Sequence, residues 1–241
     1  MSAAPSVWRQ PFTIRAYEVG PDERASVLVV ADLFQEAAGE HARAGDLETF
    51  ALADGTGTWV QTRLRLQVDA LPAMRQRVEV ETWSSGNDGL RAFRDYVLRG
   101  PDGEPLVRGT SEWLVMHTTR RRPVRLPPAF FSFEHEASRA LLLEAPPVAP
   151  DAVEHERRFA VRRSDLDRVG HANNVRFLEW SLEALPAGVG LREIDVVYRA
   201  EAVAGDVVVS RAGPLAGHAR CHELTCEADG RVLALARTHW L

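Results

Sequence analysis

Asp102-Gly103, followed ten residues on by Trp113-Leu114, recurs as Asp229-Gly230, followed ten residues on by Trp240-Leu241. Both matches carry the same offset of 127 residues. Asp-Gly is strong turn chemistry, and in each copy it separates two runs with strand character, residues 94–99 and 106–115 in the first and 222–227 and 232–240 in the second. The spacing predicts one hairpin used twice, so each half of the chain reads as a structural unit of its own.

Working outward, a strand pair precedes each hairpin, residues 59–68 with 77–83 and residues 194–202 with 206–211. One helix precedes each pair, over residues 26–43 and 174–185, with Ser26 as an N-cap and Pro186 as the stop of the second. Val27-Leu28-Val29-Val30-Ala31, Leu33, Phe34, Ala37 and Ala38 make the first helix apolar on almost every side, which predicts a helix enclosed by other structure. The second has Val175, Leu178, Leu182 and Leu185 on one stripe and Arg176, Glu179 and Glu183 on another. A strand, a buried helix and antiparallel strands that curl around it form the hotdog arrangement. The expected fold is therefore α+β, a tandem hotdog, with two antiparallel sheets each wrapped around a central helix and paired as a pseudo-dimer.

The expected boundaries are an N-terminal hotdog domain over residues 1–122, a linker over 123–153 and a C-terminal hotdog domain over 154–241. Within the linker, Pro-Pro pairs at 127–128 and 146–147 bracket a short helix expected around residues 134–144. Both repeats end at the Trp-Leu step, leaving no third domain to expect.

Composition narrows the function classes. Hydrophobic residues make up 45% of the 241 and charged residues 26%, enough apolar content for a sizeable core. All 29 basic residues are Arg, and the net charge of -5 argues against a general nucleic-acid binder, which needs a basic face. The opening Met1-Ser2-Ala3-Ala4-Pro5-Ser6 lacks a signal peptide's basic start and apolar run, and no stretch is long enough to span a bilayer, so a cytoplasmic protein is expected. Cys221 and Cys226 are five apart on a strand and point to opposite faces, which supports neither a disulfide nor a metal site.

Asp167-Arg168-Val169-Gly170-His171-Ala172-Asn173-Asn174, just before the second helix, carries the candidate chemistry. Such a string also suits a polar loop capped by Asn174. The first half, however, has Asp22-Glu23-Arg24-Ala25-Ser26 in the expected equivalent place, so a loop alone does not require His171 or the two Asn residues. Hydrolysis at a carbonyl needs a base or nucleophile beside the carbonyl carbon and donors where its oxygen becomes negative. Asp167 offers the first. Backbone N–H groups of Gly170 through Asn174, at a helix N-terminus, offer the second, with Asn173 and Asn174 shaping the loop. His171 would orient the acid group or polarise the carbonyl. Arg120, Arg121 and Arg122, followed by Arg125, read either as a solvated face or as a weak attraction site for an acidic carrier.

The Asp-x-x-Gly-His-x-Asn-Asn string resembles that of the 4-hydroxybenzoyl-CoA thioesterase type of hotdog enzyme, in which the Asp is the catalytic carboxylate. From about Phe12 to Leu241 the chain resembles the acyl-ACP thioesterases of bacteria and plant plastids more closely. The segments that carry this likeness are Ile14-Arg15-Ala16-Tyr17-Glu18-Val19-Gly20, Leu33-Phe34-Gln35-Glu36, Trp59-Val60-Gln61-Thr62-Arg63, Ser164-Asp165-Leu166-Asp167 and Tyr198-Arg199-Ala200-Glu201.

That resemblance implies an Asp-x-Asn-x-His set plus a Glu on a later strand, which fall here on Asp167, Val169, His171 and Glu201. Val169 departs from the pattern because it has no side-chain amide, and Ala202 stands where plant members commonly have Cys. Without the resemblance, Glu201 also reads as a solvated carboxylate beside the Ala204-Gly205-Asp206 turn. With it, Glu201 would hold the attacking water. The implied activity is hydrolysis of fatty acyl-ACP to free fatty acid and holo-ACP. Acyl carrier protein would be the partner, no cofactor or metal would be needed, and a homodimer is possible. The first domain, with aromatics such as Trp59, Trp83 and Phe93, would enclose the acyl chain. The alternatives are an acyl-CoA thioesterase and a catalytically silent acyl-binding protein.

Overall fold

A computed structural model describes residues 5–47, 57–131, 135–136, 138–185 and 190–241. The chain divides into two compact units, with the boundary after Leu142, and Arg63–Arg65 belongs with the second. The first unit contains β1 (Val7–Thr13), a 3-10 turn at Ala16–Glu18, α1 (Val27–Ala44), β2 (Gly57–Val68), β3 (Arg77–Asn87), β4 (Arg91–Arg99), β5 (Pro105–His117), β6 (Arg122–Val124) and the one-turn α2 (Pro128–Phe131). Its strands lie in the order β1-β3-β4-β5-β2, with β6 on β5. The second contains β7 (His155–Ala160), a 3-10 turn at Arg163–Asp165, α3 (Asn174–Glu183), β8 (Leu191–Tyr198), β9 (Val207–Pro214), β10 (Ala219–Cys226) and β11 (Val232–Trp240). Antiparallel pairing there runs β8-β11-β10-β9-β7. Each unit is a sheet curled on one long helix, α1 against β1 and β3 and α3 against β9 and β10. Among the described residues, no helix is long and apolar enough to cross a membrane.

Both repeated hairpins form, closed by Gly100 N–H to Glu104 O at 2.9 Å and Cys226 N–H to Arg231 O at 2.9 Å. Gly103 and Gly230 both sit at positive φ, 81° and 71°, the conformation that favours glycine in this turn. Ser26 caps α1 as expected, accepting the Val29 N–H at 3.4 Å. The enclosure of α1 is narrower than its composition predicts. Val27, Val30, Ala31, Leu33, Phe34, Ala37, Ala38 and His41 are buried, whereas Asp32, Glu36, Gly39 and Arg43 line an exposed face at helical spacing. Gly109 on β5 lets this helix come close, since a Cβ there would lie 2.9 Å from both Phe34 and Leu66 side chains. Phe34 then stacks on Tyr96 with ring centroids 4.7 Å apart.

Three further expectations are corrected. α3 ends at Glu183, and its buried set is Val175, Phe177, Leu178, Trp180 and Ser181, with Leu182 and Leu185 only partly covered. Pro186 lies outside the described residues. Residues 138–144 are not helical. Instead the segment is pinned to the sheet, with Ala140 N–H on Asp95 Oδ1 at 3.0 Å and Leu141 N–H on Thr110 Oγ1 at 3.2 Å. Glu134 is outside the described residues. Finally, the strand expected over residues 194–202 stops at Tyr198, because Arg199 and Ala200 both turn their N–H groups to Leu233 O.

The repeat extends into buried polar contacts. Trp113 Nε1 donates to Ser111 Oγ at 2.7 Å, and Tyr96 Oη lies 3.1 Å from the same oxygen. In the second unit Trp240 Nε1 donates to Thr238 Oγ1 at 2.9 Å, and His222 Nε2 lies 2.9 Å from that oxygen. Tyr96 and His222 thus hold the same place, each fully enclosed between sheet and helix. Burial pushes the His222 imidazole down to about 4, so it is neutral in the fold. The second unit also holds an ion pair away from water. Asp195 has no exposed surface and accepts Arg63 Nε at 2.9 Å, Arg63 Nη2 at 2.6 Å and Arg237 Nη2 at 3.3 Å. Cys221 and Cys226, both on β10, are buried free thiols.

Candidate active site

Residues 161–174 link β7 to α3 through a loop whose backbone is fixed from several directions. The Arg163–Asp165 turn is closed by Asp165, whose Oδ2 accepts Arg162 N–H at 2.7 Å while its Oδ1 takes Arg162 Nη2 at 3.0 Å. Burial works against the charge on Asp165, but the hydrogen bonds from Arg162 hold the carboxyl below its ordinary range. Asp167 then folds the next five residues. Its N–H donates to His171 O at 2.7 Å and its carbonyl accepts Gly170 N–H at 3.1 Å. Its Oδ1 accepts the N–H groups of Val169 at 2.9 Å and His171 at 3.2 Å. Gly170 supplies the φ of 87° that the turn requires.

All the hydrogen bonds to the Asp167 carboxylate fall on Oδ1, leaving Oδ2 without a protein partner among the described residues. His171 Nε2 lies 3.4 Å from Glu201 Oε2, and the two side chains are about a third and two-fifths exposed. Glu201 arrives not from a strand but from the loop after β8. That loop is laced to the first by Ala172 N–H on Ala202 O at 2.8 Å and by a β-bridge between His171 and Val203. The structure therefore brings the Asp167 and His171 loop against the Glu201 loop at the N-terminal end of α3.

Four of the five expected oxyanion donors are engaged within the loops. Gly170 N–H is held by Asp167 O, His171 N–H by Asp167 Oδ1, Ala172 N–H by Ala202 O and Asn173 N–H by Asp165 O. Gly170 and Asn173 are loop supports. Asn173, one residue before the expected cap, is the N-cap, with Oδ1 accepting Val175 N–H at 2.9 Å, and Asn174 is the first helical residue. Val169 projects an exposed side chain and contributes only its N–H to Asp167. Arg120, Arg121 and Arg122 lie exposed on the β5–β6 turn of the first unit. Sequence reading missed Arg231 and Asp206, which fasten the Glu201 loop from outside. They were hidden because both look like ordinary turn residues.

The first unit has the same loop without the same side chains. Gly20 N–H donates to Arg24 O at 3.0 Å and Glu23 N–H to Gly20 O at 2.9 Å, matching the bonds of Asp167, Gly170 and His171. Glu23 even keeps a positive φ of 58° where the second unit has Gly170. Ala25 N–H donates to Pro72 O at 2.9 Å, as Ala172 does to Ala202 O. Asp167, His171 and Glu201 thus correspond to Gly20, Arg24 and Leu71, and Asp22 matches Val169 rather than Asp167.

Two hotdog units in tandem, one of which carries an Asp, His and Glu set on a loop that the other keeps bare, place the chain among the double-hotdog proteins. Residues 5–133 match the family model of the acyl-ACP thioesterase N-terminal domain, and residues 148–241 that of the acyl-ACP thioesterase C-terminal domain. The chain belongs to the acyl-ACP thioesterase family. It is 32% identical over 272 residues to a chloroplastic palmitoyl-acyl carrier protein thioesterase of Arabidopsis thaliana, covering 97% of this chain and 64% of the relative. Against a chloroplastic dodecanoyl-[acyl-carrier-protein] hydrolase of Cinnamomum camphora it is 32% identical over 266 residues, covering 97% and 67%. The chain thus spans about two thirds of these relatives' length. The solved 12:0-ACP thioesterase from Umbellularia californica is similar with a TM-score of 0.87 at 26% identity, covering 100% of this chain and 99% of that one. An acyl-ACP thioesterase from Bacteroides thetaiotaomicron shares the fold with a TM-score of 0.88 at 20% identity.

Proposed function

We propose that this protein acts in the cytoplasm to hydrolyse fatty acyl thioesters carried on acyl carrier protein, releasing free fatty acid and holo-ACP. The observation that carries the reading is the asymmetry between the two loops. One backbone scaffold occurs twice, and only the copy before α3 joins a carboxylate at the Asp167 position to an imidazole 3.4 Å from a second carboxylate, with Asp167 Oδ2 unengaged among the described residues.

In the reaction an oxygen nucleophile attacks the thioester carbonyl carbon, the C–S bond breaks, and the phosphopantetheine sulfur leaves with a proton. Asp167 Oδ2 serves as the base that takes the proton from water, or as the nucleophile whose acyl intermediate water then cleaves. His171 and Glu201 form a hydrogen-bonding pair that orients the water and shuttles its proton. Family membership and the relatives' names support the carrier-linked substrate. The exposed arginines at 120–122 suit an acidic carrier in a protein of net charge -5. The apolar packing around α1 suits an acyl chain.

The test is thiol release from a series of acyl-ACP and acyl-CoA substrates of increasing chain length. Turnover with higher kcat/KM on acyl-ACP is expected. Preference for acyl-CoA would reassign the carrier, and tight acyl-ACP binding without turnover would make the protein an acyl-binding module.

A further inference from the structure

We infer that Arg231 is a positioning residue for Glu201, an inference that rests on the proposed hydrolysis. Arg231 sits at the end of the β10–β11 turn, directly before β11, and its carbonyl closes that turn. Its Nη1 binds Asp229 Oδ2 at 2.6 Å. Its Nη2 binds Asp206 Oδ2 at 2.6 Å and makes a longer contact of 3.4 Å to Glu201 O. Asp206 Oδ2 also accepts Val203 N–H at 3.2 Å, while Asp206 N–H donates to Val203 O at 3.1 Å. One guanidinium therefore holds the Glu201 loop at its carbonyl and, through Asp206, at Val203, the residue bridged to His171. A planar fork reaching two acceptors at once suits this task better than a point charge.

The first unit supplies the internal comparison. Glu104 occupies the place of Arg231, since its carbonyl closes the equivalent turn, and its carboxylate folds back on Asp102 N–H at 3.1 Å. Gln76 replaces Asp206, and its Oε1 takes Ala73 N–H at 2.8 Å. The turn and loop of the first unit thus form without a cationic clasp. The clasp occurs where the loop carries Glu201, so its role lies in placing that carboxylate against His171 rather than in folding the hairpin.

The experiment compares Arg231→Ala, Arg231→Lys, Glu104→Ala and Glu201→Gln, and the double variant Arg231→Ala/Glu201→Gln, by steady-state kinetics on acyl-ACP, melting and hydrogen exchange. Arg231→Ala should lower kcat roughly 10- to 100-fold, the scale of a small misplacement, with KM within about twofold and Tm nearly unchanged. Arg231→Lys should recover part of the loss, Glu104→Ala should match the parent, and the double variant should be no slower than Glu201→Gln. Parent-like kcat in Arg231→Ala, or losses that multiply in the double variant, would overturn the inference. Exchange reads the clasp without activity. Residues 199–206 should exchange faster in Arg231→Ala while residues 219–226 do not, and unchanged exchange at 199–206 overturns it. A parent that fails to turn over acyl-ACP while this exchange difference holds would sink the functional reading and leave the clasp standing.

Discussion

His171 Nε2 and Glu201 Oε2 lie 3.4 Å apart although thirty residues separate them, and two backbone contacts hold their loops together. If the pair acts as one unit, His171→Ala and Glu201→Gln should each reduce kcat, and the double variant should be hardly worse than the weaker single one. Multiplied losses on acyl-ACP would show two independent roles instead.

Asp167 holds its loop and, in the proposed reaction, supplies the carboxylate, and substitution can separate the two. Asn keeps an oxygen at Oδ1 for the N–H groups of Val169 and His171, so the loop should hold. Hydrolysis should nevertheless fall roughly 10²- to 10⁴-fold in Asp167→Asn, because the carboxylate is gone. Asp167→Ala loses the loop bonds too and should lower Tm as well. Near-normal turnover in Asp167→Asn, with folding checked by circular dichroism, would remove Asp167 from the chemistry.

Acid lability should trace to two buried imidazoles. Burial, aided by Arg94 at His41, pushes His41 and His222 down to about 4 from an ordinary 6.5. The unfolded chain therefore binds more protons between those values, so stability is whole above about pH 6.5 and is lost as pH falls toward 4. Each ring contributes up to about tenfold in the folding constant per pH unit across that window. Glu81 acts at the acid end of that range, its contribution being present above its ordinary 4.5 and lost as pH falls below it. Burial opposes its charge, but Arg99 and Arg9 hold it below the ordinary carboxylate range. Chemical denaturation from pH 7.5 to 4 should show a shallower decline for His222→Gln than for the parent, and parallel curves would assign the lability elsewhere.

Removing Asp195 should be costly. Asp195→Ala leaves Arg63, itself 7% exposed, without its buried counter-ion. About 3–5 kcal/mol of stability should be lost by urea unfolding, the usual effect of stranding one partner of a buried pair. A loss below about 1 kcal/mol would show that water or a shifted side chain replaces the carboxylate.

The exposed arginines at 120–122 should affect the carrier and not the chemistry. Changing them together to Glu should raise KM for acyl-ACP, with kcat and the rate on short acyl-CoA little altered. Equal effects on both substrates would remove this face from carrier recognition.

The hairpins were legible because Asp-Gly and Trp-Leu pairs keep one offset of 127 and because turn chemistry is local. The loop correspondence was not. Gly20 matches Asp167 at an offset of 147 and Leu71 matches Glu201 at 130, and the shorter α3, 10 residues against 18 in α1, supplies only part of that change, so no single shift aligns the halves. That is why Asp22 reads as the counterpart of the site, although its true partner is Val169. Strand β8 looked longer because the run Val196-Val197-Tyr198 leads into residues without a turn signal. The chain leaves the strand there through two N–H groups that share one carbonyl, Leu233 O. The loop partners of the Gly170, His171, Ala172 and Asn173 N–H groups were illegible for a similar reason, since a backbone donor's partner is set by tertiary folding and leaves no mark in the sequence.

The loop of the first unit has a meaning for design. Both copies keep the backbone bonds of the turn, so the shape of this segment does not depend on the side chains at the three site positions. Gly20, Arg24 and Leu71 stand in the first copy without altering that shape. The difference between the two loops on this scaffold is therefore three site side chains and the two of the clasp, whose places Glu104 and Gln76 hold. Gly20→Asp, Arg24→His and Leu71→Glu, with Glu104→Arg and Gln76→Asp for the clasp, are the five changes that would write the second unit's set onto the first.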